Sequence, residues 1–124
     1  MEFIFTEKAP SPAGHYSQAI ISGGLVFVSG QLGIHPDSGE IKATIEEQTA
    51  QVLDNLENIL IASGSLLDKV VKATLYISDI SLWGKVNEIY AERFGSHKPA
   101  RAVVPTRDLH FGCLIEVEVV AERS

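Results

Sequence analysis

The spacing of apolar residues changes along this chain, and each change predicts an element. Ala19-Ile20-Ile21 and Leu25-Val26-Phe27-Val28 are short apolar runs separated by Ser22-Gly23-Gly24, which reads as a hairpin turn. After Ser29-Gly30-Gln31 a further turn is expected at His35-Pro36-Asp37-Ser38-Gly39. From Thr44 to Ala62 the period becomes helical, with Ile45, Val52, Leu56, Ile59 and Leu60 on one face. Thr44 and Glu47 make a capping box there, and Gly64 stands where a helix stop belongs. Val70 to Ile77 is β-branched and aromatic, hence a strand. A second helix is predicted from about Ser81 to Phe94, with Leu82, Val86, Ile89 and Tyr90 inward and Gly95 closing it. Ala102-Val103-Val104 and Leu114 to Ala121 supply the last strands.

The predicted order is β-β-α-β-α-β-β. This is an α/β chain of the α+β kind, a mixed sheet with two helices packed on one face. Two helices of this size cover one face of such a sheet and leave the other. Val28, Val103, Leu114 and Val120 are read as apolar content beyond the helix layer, so identical subunits are expected to cover it.

Length and composition narrow the classes. At 124 residues the chain is read as a single domain, 1–124, able to bury a core without staples. The formal charge of −6 argues against nucleic acid, whose phosphates require excess Lys and Arg. Cys113 is the only cysteine, so no internal disulfide forms and a reducing, cytoplasmic location is expected. The first seven residues lack a basic segment followed by an apolar core, so no signal peptide is expected. No apolar run approaches the roughly 18 residues that cross a bilayer, and no membrane partner is expected.

The chemistry lies near the end of the chain. Arg101 precedes a strand, and a guanidinium is shaped for a bidentate grip on a carboxylate. Glu116 and Glu118 are two apart on a strand, so they share a face about 6.5 Å apart along the chain. Ile115, Val117 and Val119 take the other face. Taken alone, the glutamates also fit a solvated outer face and Arg101 a surface position. Leu114 and Val120 lie among the glutamates, and a carboxylate in such mixed surroundings titrates closer to neutrality. The histidines at 15, 35, 97 and 110 have no metal-ligand spacing, so no metal or other cofactor is expected. Cys113 reads as a small apolar core residue.

Six landmarks in series carry a resemblance that spans about Phe3 to Ala121. They are Gly14-His15-Tyr16-Ser17-Gln18-Ala19, Val28-Ser29-Gly30-Gln31, Gln48–Asn55 (QTAQVLDN), Val86-Asn87-Glu88-Ile89-Tyr90, Pro99-Ala100-Arg101 and Ile115-Glu116-Val117-Glu118. The chain resembles the Rid/YjgF family. That resemblance implies a chorismate-mutase-like fold in a homotrimeric barrel, with sites in the clefts between subunits. It implies cofactor-free hydrolysis of 2-enamine and 2-imino acids, such as 2-aminoacrylate or 2-iminopropanoate, to 2-keto acids and ammonia. Arg101 then matches the residue that binds the substrate carboxylate, and Glu116 the acid associated with the attacking water. Tyr16, Ser29, Gly30 and Asn87 match positions that line the cleft, and the Val103 backbone falls where the family contacts its ligand.

Three positions depart from the family pattern. His15 stands where Pro is common, Leu109-His110-Phe111-Gly112 replaces L-P-x-G, and Val103 replaces a cysteine of the deaminase branch. A non-catalytic binder of small 2-keto acids would use the same Arg101, and is the alternative reading. A ribonuclease or translation inhibitor fits the acidic charge least.

Overall fold

The computed structural model describes residues 1–124 as one six-stranded sheet carrying two α-helices. In chain order the strands are β1 (Glu2–Ile4), β2 (Ala19–Ser22), β3 (Leu25–Leu32), β4 (Val70–Ile77), β5 (Ala100–Pro105) and β6 (Ile115–Glu122). Helix α1 (Ile45–Ala62) joins β3 to β4, and α2 (Trp83–Phe94) joins β4 to β5. Across the sheet the order is β1-β2-β3-β6-β4-β5. Every pairing is antiparallel except β4 with β5, where α2 supplies the crossover that a parallel pair requires.

Burial follows the strand period. On β6, Ile115, Val117, Val119 and Ala121 are buried, while Glu116, Glu118 and Val120 on the other face are not. The buried set meets Val52, Leu56, Ile59 and Leu60 of α1 and Val86 and Tyr90 of α2 in one core cluster. The helix layer therefore covers one sheet face. On the opposite face Phe27 and Val104 remain exposed. No helix is long and apolar enough to cross a membrane.

Helix α1 begins where the capping box predicts. Thr44 Oγ1 accepts the Glu47 amide proton at 3.2 Å and donates to Glu47 Oε1 at 2.9 Å. Its inner face also carries two buried amides that hold the loops around the site. Asn55 Nδ2 donates to the carbonyls of Leu32 and Ile34, at 3.0 and 2.9 Å. Gln48 Oε1 accepts from the Leu114 amide at 2.8 Å, and its Nε2 donates to the Lys42 carbonyl. Gly33 lets the chain pass this close, since a Cβ there would lie 2.6 Å from the Gln48 carbonyl oxygen.

Four expectations need correction. Strand β1 was not predicted, because three residues are too few to display a period and its pairing comes from β2 alone. The second strand does not end at Val28 but runs to Leu32 through a bulge, since Val28 pairs with Val119 while Gln31 pairs with Val117. The second helix starts at Trp83, after a 3-10 turn Ile80–Leu82 whose Ser81 amide donates to the Asp79 carboxylate. Val28 and Val103 belong to the helix side: Val28 is buried, and Val103 pairs with Leu75 and packs against the core, as does Leu114 just before β6. Val120 remains as apolar content on the open face.

Candidate functional site

The candidate residues fall into two groups on opposite faces of the sheet. Strand β5 pairs Arg101 with Ala73 and Val103 with Leu75, both core positions, so Arg101 projects toward the helices. Strand β6 pairs Glu116 with Tyr76 of β4 and Leu32 of β3, on the open face. The resemblance implies that Arg101 and Glu116 meet in a cleft between subunits, and within one chain they do not meet.

Arg101 lies at the sheet edge beside α2. Its Nη1 donates to Asn87 Oδ1 at 2.9 Å. The guanidinium carbon sits 4.8 Å from the Tyr90 ring centroid and 5.8 Å from that of Trp83, within the range of cation–π attraction. Positions 83, 87 and 90 follow helical spacing, so one face of α2 presents all three to the arginine. No carboxylate of the chain pairs with it. Asn87 and the two rings hold the fork while leaving most of its five donors unspent. Burial pushes the Tyr90 phenol up, and the neighbouring Arg101 charge partly opposes that shift. An open cavity of about 380 Å³ reaches this arginine past Asn87, Phe94, His97 and Pro99.

Glu116 lies at the floor of a different cavity, about 410 Å³, lined by Tyr16, Ser29, Gly30, His110 and Phe111 among others. The bulge in β3 brings Ser29 and Gly30 against it. A Cβ at position 30 would stand 2.0 Å from Glu116 Oε2, so any larger residue there would displace the carboxylate from its present place. Ser29 is fixed by its hydroxyl donating to the Ser17 carbonyl at 2.6 Å. Tyr16 is half exposed, and its phenolic oxygen accepts the Ala13 amide proton at 3.2 Å, closing the loop that forms one wall. Gln18 anchors that loop from below, accepting from the Thr6 amide and donating to the Thr6 and Pro10 carbonyls.

The two glutamates of β6 differ in their surroundings. Glu118 accepts a hydrogen bond from Tyr76 Oη at 2.8 Å, which is the main reason the Tyr76 phenol is raised. Glu116 has no such partner within the chain. Burial raises its carboxyl above the ordinary range, the nearby His110 lowers it, and the charge of Glu118 raises it further. A carboxylate that is partly desolvated yet open to a cavity is the better proton acceptor of the pair.

A larger hollow of about 480 Å³, lined by polar and charged side chains and Pro36, holds none of these residues. Sequence reasoning passed over Phe111, Trp83 and the seating role of Tyr90. Helical spacing from Asn87 was the available signal for the last two. Phe111 gave no signal, because its importance comes from backbone conformation.

The model of the family described as Endoribonuclease L-PSP matches residues 6–123, nearly the whole chain. The chain belongs to the Rid/YjgF family. Among its Rid/YjgF relatives, a RutC family protein of Pyrococcus horikoshii is 50% identical over 124 residues, covering 99% of this chain and 98% of that one. The chloroplastic Reactive Intermediate Deaminase A of Arabidopsis thaliana is 44% identical over 121 residues, covering 97% of this chain and 65% of that protein. Among solved Rid/YjgF structures, E. coli TdcF with bound serine superposes with a TM-score of 0.96 at 33% identity and covers 100% of both chains.

Proposed function

We propose that this protein hydrolyses reactive 2-enamine and 2-imino acids, such as 2-aminoacrylate and 2-iminopropanoate, to 2-keto acids and ammonia. Family membership and the deaminase name of the Arabidopsis relative support imine and enamine deamination in general. Serine in E. coli TdcF is a small acid with nitrogen on its α-carbon, like the proposed substrate. The observation that carries the reading is the division of the site. An unpaired guanidinium lies on one side of the sheet, and a raised, unpaired carboxylate opens on the other.

In this reading three chains form a ring, and the Arg101 edge of one closes over the Glu116 cavity of the next. Arg101 grips the substrate carboxylate with two parallel N–H donors while Asn87 holds a third. That grip fixes the imine carbon against Glu116. An enamine reacts after its β-carbon takes a proton from solvent, which gives the iminium. Water oxygen bonds to the imine carbon, the C=N π pair moves to nitrogen, and Glu116 takes a water proton. Glu116 returns this proton to nitrogen. It then takes the hydroxyl proton as C=O forms and the C–N bond breaks, and ammonia leaves with the last proton. Ser29, Gly30, Tyr16 and the Val103 backbone shape the cleft, and the reaction takes place in the reducing cytoplasm.

Freshly generated 2-aminoacrylate, followed by 2-keto acid formation, tests the activity. Release well above the solvent rate is expected. Keto-acid binding without turnover would establish a binder instead.

Assembly has its own test. Sedimentation at micromolar concentration is expected to give one species near three times the 13.5 kDa chain mass. Arg101→Lys and Glu116→Gln chains, each nearly inactive, are expected to regain activity when refolded together, because some clefts then join an intact Arg101 to an intact Glu116. A fully active monomer, or no recovery in mixed assemblies, would refute the shared site.

A further inference from the structure

The Glu116 cavity continues into a second, smaller one of about 50 Å³. The two share Ala13, Tyr16, Gly30, Leu32 and Phe111, and the smaller adds Pro10, Ser11, Gln31 and Ile34. Pro10, Leu32, Ile34 and Phe111 line it beside the uncharged polar Ser11 and Gln31, whereas the ionisable His110 and Glu116 belong to the larger cavity alone. His110 and Glu116 thus stand at one end of the cleft, and the adjoining end carries no charged side chain.

Phe111 is the residue that demands an explanation. It is the only non-glycine residue with positive φ, at φ 60° and ψ 21°. A bulky side chain is disfavoured in that left-handed region, where Gly or Asn is at ease. The residue is 62% exposed, so core packing does not repay the strained backbone. Strain of this kind persists where the surrounding structure holds it, and it collects at ligand sites. Here it holds a phenyl ring at the junction of the two cavities.

We propose that Phe111, with Leu32 and Ile34, forms the side-chain subsite of the cleft and selects 2-imino acids bearing an apolar side chain of leucine size over 2-iminopropanoate. The inference rests on the deaminase reading for its chemistry. An imine carbon facing Glu116 carries three groups: the carboxylate goes to Arg101, the nitrogen stays with the proton donors, and the remaining substituent faces the uncharged extension. Gly30 keeps the passage between the cavities free of a side chain.

The experiment compares kcat/KM for imines of alanine and leucine, generated in place by an amino-acid oxidase, in the wild type and in Phe111→Gly. Glycine suits the left-handed backbone, so this variant keeps the loop. The wild type is expected to favour the leucine imine by about tenfold or more, as a few methylenes in an apolar pocket allow. In Phe111→Gly that ratio is expected to fall toward one. A wild-type preference for the alanine imine, or an unchanged ratio in the variant, would overturn the subsite. So would an altered sedimentation of Phe111→Gly, which would assign the ring to a subunit contact. Absence of turnover with every imine would instead remove the deaminase reading. Calorimetric binding of 4-methyl-2-oxopentanoate and pyruvate then decides the subsite, and equal affinities would reject it.

Discussion

Glu116→Gln is expected to leave fold and ligand binding in place while slowing turnover by about 10²–10⁴-fold, the usual cost of losing a general base. The amide keeps the shape of the carboxylate, including its close approach to Gly30, but accepts no proton at working pH. Thermal unfolding of the variant is expected to show no loss of Tm, because burial disfavours the charged form that the substitution removes. The same burial sets the pH dependence. The carboxyl of Glu116 is raised above its ordinary value, and the base acts only when ionised. Activity is therefore expected to fall as pH drops through a midpoint above the usual carboxylate range, and the wild-type kcat/KM profile, which reports the free enzyme's groups, measures it. Glu118→Gln serves as the contrast. Glu118 is already engaged by Tyr76, so the substitution should disturb that hydrogen bond more than the chemistry. A larger loss of kcat in Glu118→Gln than in Glu116→Gln would transfer the role of base to Glu118.

Arg101→Lys is expected to lower kcat/KM by at least roughly thirtyfold, since losing a bidentate charged contact costs about 2–5 kcal/mol. Lysine keeps the positive charge but presents a point donor on a flexible stem. It forfeits the guanidinium's reach to both the Tyr90 and the Trp83 ring, and a single ammonium cannot hold Asn87 and both oxygens of a substrate carboxylate in one plane. Steady-state kinetics with any accepted imine checks this. Wild-type values in Arg101→Lys would show that charge alone suffices and that the guanidinium is no clamp.

Local signals made much of the fold legible. Thr44 and Glu47 mark the start of α1 because a capping box is complete within four residues, and the alternation on β6 is complete within eight. The sequence alone thus assigns Glu116 and Glu118 a common face. What could not be read depends on pairing between distant segments. Glu2–Ile4 becomes a strand only because β2 offers an edge. The bulge at Ser29 and Gly30 is visible only against the register of β6, yet it brings Gly30 against Glu116. The placement of Arg101 and Glu116 on opposite faces has the same origin. Parity along one strand says nothing about parity along another until both are placed in a sheet. Tyr90 was legible as an inward residue of α2, but its seat beneath Arg101 required α2 to dock beside β5.

The amides of Asn55 and Gln48 tie the carbonyls after Gly30 and the amide before Glu116 to a rigid helix. The rim of the cleft is stapled to the core at the points where a loop would otherwise flex. Such a rim cannot widen to admit a bulkier guest. Divergence among descendants of this chain would then proceed by exchanging side chains at Leu32, Ile34 or Phe111 on a stationary frame, one substituent at a time, with the proton-handling end untouched.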